Sequence, residues 1–402
     1  MKAEKSFLDE KGCSTTSPTN GPLPTPQKFA TEIKKSVKGQ DVFVDSIVEE
    51  ILFSLKRVQN YLGGISPLQL PKNSPSLVLA PTGQGKSHTI SAALNAFNIK
   101  SIWIDCAGLT GSGWRGTSLG SELARVSNVM DSNKNKPLAV VLDEFDKLAV
   151  VAHKDISSSF FGQNDFLKFF DGGIYKGHCE NAKRDYAIDT NLLIIFFIGA
   201  FTGIEEIVKK RLLTGVSTVG FGASSDRHLS VVNGSVEDLR KQVKHEDVIE
   251  YGIKRELVGR LGKILTLSPL DDAAFTSIVT EGPYSIQKRM NMNLPFEVDF
   301  QISDAAVKHL VQSAREKELG ARSLEPAVFR FVSKAFTRCL EDSSINVVML
   351  DVKDGELGLR YLRLPTKSVP RGVELISLYE MCQDRQEKDS LDSEAEMWEL
   401  KF

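Results

Sequence analysis

The segment Leu77-Val78-Leu79-Ala80-Pro81-Thr82-Gly83-Gln84-Gly85-Lys86-Ser87 constrains the fold more than any other stretch of the chain. A short apolar run passes through a glycine-rich turn into a stripe of Ile90, Ala93, Leu94 and Phe97 at helical spacing. Glycines let backbone N–H groups curl round a phosphate with no Cβ in the way, and the start of the following helix adds positive partial charge. Strand, turn and helix in this order read as a phosphate cradle, in which Lys86 reaches the β- and γ-phosphates and the Ser87 hydroxyl holds Mg²⁺. Ala80 stands where the motif usually has its first glycine.

A second apolar run supplies the expected partner. Ala139-Val140-Val141-Leu142 ends in the carboxylates Asp143 and Glu144. Asp143 is expected to bind Mg²⁺ through its water shell, and Glu144 to orient and deprotonate an attacking water. The two motifs together point to nucleotide hydrolysis.

The remaining pattern suits an α/β chain. Apolar runs at Ile102-Trp103-Ile104 and from Leu192 to Ile198 join the two above, separated by helical stretches. Runs of this kind fit strands of a parallel sheet covered on both faces. Val44, Ile47, Val48, Ile51, Leu52 and Leu55 mark an amphipathic helix before them. Residues 150–190 and 215–234 read as polar, glycine-containing loops rather than core, with Lys168, Lys176, Lys183 and Arg184 on a solvated loop. Beyond residue 265 the pattern is mainly helical, with a lone strand candidate at 346–352. The expected layout is a loose N-terminal tail over 1–22, an α/β nucleotide-binding domain over 23–265, a small α-helical domain over 266–365 and an acidic tail over 366–402.

Composition narrows the function classes. Fifty Lys and Arg against 52 Asp and Glu leave a net charge of −2, so no basic field advertises nucleic acid or a membrane surface. The run from Leu192 to Ile198 is far short of the roughly 20 apolar residues that span a bilayer. Five dispersed cysteines with no C-x-x-C pair argue against a disulfide framework and a cysteine zinc cluster. A reducing cytoplasm is the expected compartment.

Several further motifs, in register, resemble the AAA+ unfoldases of the ClpX family over roughly residues 23–362. They are Leu23-Pro24-Thr25-Pro26, Val37-Lys38-Gly39-Gln40, Asp143-Glu144-Phe145-Asp146-Lys147, Gly199-Ala200-Phe201-Thr202-Gly203, Val219-Gly220-Phe221-Gly222-Ala223, Glu256-Leu257-Val258-Gly259-Arg260-Leu261 and Gly320-Ala321-Arg322. The resemblance implies an AAA+ P-loop core, a parallel sheet between helices, followed by a small mainly α-helical domain. It implies ATP and Mg²⁺, with Val37 near the adenine, Pro81, Thr82, Gly83, Gln84, Gly85, Lys86, Ser87 and His88 round the nucleotide, and Ser87 and Asp143 at the metal. Arg260 resembles the arginine finger that reaches a neighbouring subunit's γ-phosphate, and Arg322 the sensor-2 cation that touches bound nucleotide. Gly113-Trp114-Arg115-Gly116 resembles the aromatic pore loop that grips a threaded polypeptide, with Trp for Tyr and Arg for Val. Val219-Gly220-Phe221 resembles the tripeptide that docks on the ClpP peptidase.

These resemblances imply a homohexameric, ATP-driven protein unfoldase that threads protein substrates, into a ClpP-type peptidase or as a stand-alone remodelling ATPase. A non-hydrolysing scaffold or a nucleic-acid motor on the same fold is the rival class, against which intact Lys86, Asp143 and Glu144 and the near-neutral charge speak. Two departures stand out. The four-cysteine zinc domain of the family is not expected, because only Cys13 precedes the ATPase region. At the end of the fourth apolar run, Phe197-Ile198 stand where relatives carry a small or polar residue, so no water-orienting side chain is assigned there.

Overall fold

The computed structural model describes residues 25–110, 117–133, 136–149, 163, 166, 167, 169, 170, 172–179, 183–214, 235–295, 297–316, 320–363 and 396–400. Two helices open it, α1 (Pro26–Ser36) and α2 (Asp41–Leu62). The α2 stripe Val44, Ile47, Val48 and Ile51 is fully buried, as its spacing requires. Next come β1 (Ser76–Leu79), α3 (Lys86–Ala96) and β2 (Lys100–Asp105). Short β3 (Leu109–Thr110) and β4 (Thr117–Ser118) lead to α4 (Leu119–Asn133) and β5 (Leu138–Asp143). After β6 (Ile174–Cys179) and β7 (Arg184–Asp189), the chain enters β8 (Leu193–Gly199) and α5 (Ile204–Thr214). Three short helices, α6 (Val236–Lys241), α7 (His245–Tyr251) and α8 (Arg255–Val258), precede β9 (Ile264–Thr266).

Five of these strands form one sheet in the order β2-β5-β8-β1-β9, every neighbouring pair parallel. Each residue of β1 and β8 is buried, because helices cover both faces and leave no solvent side for polar residues. Side chains alternate between two cores. Leu77, Leu79, Val140, Leu142 and Phe197 point into one, with α4; Val78, Val141, Phe196 and Ile198 point into the other, with α2 and α3. The order matters for chemistry: β8 lies between β1, which feeds the glycine-rich turn, and β5, which ends in Asp143.

A second unit follows. It comprises α9 (Asp272–Thr280), α10 (Ile286–Asn291), β10 (Asp299–Ile302), α11 (Asp304–Glu316) and α12 (Leu324–Glu341), then β11 (Val347–Lys353), β12 (Glu356–Leu362) and β13 (Glu396–Leu400). Its helices share an apolar cluster of their own, built round Phe275, Val307, Leu310, Val328, Phe331 and Leu350.

Three expectations change. The strand at 347–353 is not alone: it pairs with β10 in parallel and β12 antiparallel in a four-stranded sheet completed by β13. An isolated strand leaves its backbone groups unpaired, so the partners are a physical necessity. The acidic tail contributes β13, which pairs on the edge of β12; backbone pairing is indifferent to the charge of the side chains that flank it. The stretch 150–190, expected as loop, holds an antiparallel hairpin of β6 and β7. Phe166, Phe169, Phe170, Tyr186 and Ile188 of this stretch are buried in the main core, and Ser127 Oγ donates to the Ala187 carbonyl at 2.9 Å. Lys176, Lys183 and Arg184 are exposed on this hairpin, and Lys168 lies outside the described residues. No described helix is long and apolar enough to cross a membrane.

Candidate nucleotide site

The glycine-rich turn leaves the C-terminal end of β1 and becomes the first turn of α3. Gly83 and Gly85 have φ of +79° and +86°, backbone that L side chains rarely adopt. Lys86 folds back over the turn and donates to the carbonyls of Ala80 and, at 2.8 Å, Pro81. Burial pushes its pKa down to about 8, opposed by Asp143 and reinforced by the positive charges of Arg322 and Arg240. A half-buried ammonium whose hydrogen bonds go to carbonyls favours an anion beside it.

Ser87 Oγ donates to Asp143 Oδ2 at 3.1 Å, so the last residue of β5 and the first turn of α3 meet. A hydroxyl and a half-buried carboxylate fit Mg²⁺, which takes oxygen ligands, keeps several waters and uses few protein groups. Glu144 follows in left-handed backbone, φ +52°, with its N–H donating to Asp143 Oδ1 at 2.9 Å. That turn points the Glu144 side chain out of the sheet end, where it is exposed.

The second unit closes over this turn. Ala321 N–H donates to the Gly83 carbonyl at 3.1 Å, and Leu270 N–H to Gln84 Oε1 at 3.0 Å. Gln40, from the Val37-Lys38-Gly39-Gln40 motif, reaches the Ser268 carbonyl at 2.6 Å. His88 Nε2 lies 3.1 Å from the carbonyl of Ser36 and so joins the start of α3 to the segment carrying Val37, whose side chain is buried. Pro81 is half-buried and Thr82 exposed on the outside of the turn. Arg322 is exposed, and its charge is felt at Lys86. Arg260 sits after α8 with its Nη1 donating to the Glu256 carbonyl at 2.6 Å, one turn back. The pore-loop residues Gly113, Trp114, Arg115 and Gly116 and the tripeptide Val219, Gly220 and Phe221 lie outside the described residues.

Gly320 makes the closest approach. It has φ +60°, and a Cβ there meets the Gly83 carbonyl oxygen at 2.7 Å. Gly320→Ala is therefore expected to push Ala321 and Arg322 off the phosphate turn. Loss of one such hydrogen bond, ~1 kcal/mol, together with left-handed strain, corresponds to roughly tenfold weaker nucleotide binding. Titration with a fluorescent ATP analogue checks this; unchanged affinity removes the contact from the site.

Charged residues that sequence reasoning passed over also gather here. Asp146, Glu205 and Arg240 are all buried at the end of β8. Asp146 belonged to a motif already noted, but nothing in the sequence marks Arg240, near the end of a six-residue helix, or Glu205 as partners.

A parallel sheet with a phosphate turn after one strand and paired carboxylates after another, two strands away, defines a P-loop ATPase. Residues 76–210 match the model of the ATPase family associated with various cellular activities, AAA. Across most of its length the chain is similar to ClpX proteins. It is 24% identical over 368 residues to the ATP-dependent Clp protease ATP-binding subunit ClpX 3 of Methylococcus capsulatus, covering 86% of this chain and 83% of the relative. The ATP-dependent Clp protease ATP-binding subunits ClpX of Azotobacter vinelandii and Treponema denticola are 24% and 26% identical. They cover 87% and 79% of this chain, and 82% and 77% of their own lengths. The chain is an ATPase with an AAA domain over residues 76–210, and over most of its length it is similar to ClpX.

Proposed function

We propose that the chain is the ring-forming motor of an ATP-driven protein unfoldase, working as a homohexamer on protein substrates. The observation that carries this reading is the closure of the second unit on the phosphate turn, Ala321 on Gly83 and Leu270 on Gln84. A nucleotide bound at Lys86 thereby touches both units, and the loss of its γ-phosphate changes the angle between them.

In this reading Lys86 and the backbone of Gly83 and Gly85 hold the phosphates, while Val37 and His88 flank the base. Ser87 and Asp143 would hold Mg²⁺, which when bound neutralises charge on the β- and γ-phosphate oxygens. Glu144 takes the proton of the attacking water. Arg322 reports nucleotide state from the second unit, and Arg260 completes the site of the next subunit. Trp114 grips the polypeptide by packing, independent of its sequence. Val219, Gly220 and Phe221 dock on a ClpP-type peptidase; the similar proteins are named as ATP-binding subunits of a Clp protease.

The experiment is degradation of a tagged folded protein with ATP, with and without a peptidase ring. Trp114→Ala is expected to keep most ATPase activity and lose unfolding, and Phe221→Ala to unfold but no longer deliver to the peptidase. Equal unfolding by Trp114→Ala and the parent removes the pore-loop role. Unfolding with no effect of Phe221→Ala leaves a stand-alone remodelling ATPase.

A further inference from the structure

The end of β8 lies between the phosphate turn and Glu144, where a hydrolytic site needs its geometry fixed. No side chain at the end of this strand can do so by hydrogen bonding: Phe197 and Ile198 are fully buried, and Phe197 stacks on Phe145 with ring centres 4.2 Å apart and planes 3° from parallel. Buried charges instead grip the main chain. Asp146 Oδ1 accepts from Ala200 N–H at 3.2 Å. Arg240 Nη1 donates to the Ala200 carbonyl at 3.0 Å. The same guanidinium is paired with Glu205 through Nε and Nη2. Glu205 Oε2 in turn accepts from Gly203 N–H at 3.0 Å. Gly199 belongs to the arrangement, since a Cβ there meets the Phe201 ring at 2.5 Å and Asp146 Oδ1 at 2.9 Å.

Both backbone polar groups of Ala200 are thus fixed by charges that are themselves buried. Burying an ion pair is costly, and apolar residues of like size often serve stability as well or better. What the pair does and an apolar pair cannot do is orient this main chain against Asp146, two residues beyond Glu144. The positive charge of Arg240 is also felt at Lys86, which puts the guanidinium within electrostatic reach of the phosphate end of the site.

We propose that Arg240, paired with Glu205, is a positioning residue for ATP hydrolysis: it holds Ala200 against Asp146 and so sets Glu144, in place of the polar side chain that β8 lacks. The proposal rests on Glu144 being the base that activates water.

The test compares full-length Arg240→Lys, Arg240→Met and the double variant Glu205→Leu with Arg240→Met. The double variant removes both charges together, so no lone carboxylate is left buried and a purely structural role is restored. A misplacement of a reacting group by about 1 Å costs on the order of 10²-fold in rate. The double variant is therefore expected to lose about that factor in kcat, with KM for ATP and ADP affinity held within about twofold. Lysine keeps the charge and loses the two-pronged geometry, so Arg240→Lys is expected to fall between it and the parent. A kcat near the parent's in the double variant, or in Arg240→Lys if only that variant folds, overturns the proposal. So does a rise in KM with kcat unchanged. Glu144→Gln, assayed alongside, separates the two ideas: normal turnover there sinks the base assignment, whereas an inactive Glu144→Gln beside a fully active double variant sinks only the role of Arg240.

Discussion

Glu144→Gln is expected to lower ATP turnover by about 10²–10⁴-fold while leaving nucleotide binding intact, the range set by a positioned general base. The side chain stands exposed beyond β5 on a left-handed turn tied by its own N–H to Asp143 Oδ1. An amide of the same shape leaves that backbone bond, the Ser87–Asp143 contact and the Lys86 cradle untouched. It cannot take a proton from water, so only the chemical step suffers. Phosphate release at saturating ATP reads the rate, and equilibrium titration with a labelled nucleotide reads binding. Turnover within a few-fold of the parent sinks the assignment. Loss of binding in step with turnover makes Glu144 a ligand and not a base.

Arg260→Ala is expected to have a comparable or larger effect, about 10³–10⁵-fold, as a cation supplied across an interface to the transferring phosphoryl group. In the single chain its Nη1 bonds the Glu256 carbonyl one turn back, outside the contacts that build the Lys86 cradle. The role expected of Arg260 lies across a subunit interface, and mixing subunits tests it. Arg260→Ala subunits keep Glu144, and Glu144→Gln subunits keep Arg260. In a head-to-tail ring of equal parts, about a quarter of the interfaces bring the intact Glu144 and the intact Arg260 together. Two inactive preparations should then regain partial activity on mixing. A mixture as inactive as its components, under conditions where rings form, overturns the cross-subunit role.

The parts of this site that are contiguous in sequence were legible in it. A strand, a glycine-rich turn, a lysine and a helix stripe occupy one short stretch, and each piece has a local physical requirement that sequence displays. Asp143 and Glu144 were legible for the same reason, at the end of an apolar run. The hairpin of β6 and β7 was not: its buried Tyr186 and Ile188 alternate with Asp185 and Ala187, and the surrounding charge hides so short a period. The strand at 264–266 escaped notice because three residues carry no pattern of their own, and only pairing with β1 makes them a strand.

The amino-acid sequence by itself determined that this protein is an α/β chain with a phosphate turn and a carboxylate pair, because propensity, periodicity and motif spacing act over neighbouring residues. Tertiary structure alone decided that β8 falls between those two elements, that Gly320 and Leu270 close on the phosphate turn, and that Arg240 and Glu205 meet at the end of β8. Those partners are 35 to more than 200 residues apart. Hydrogen bonds and ion pairs at such separations follow from the packing of whole helices and strands, which no local window of sequence contains.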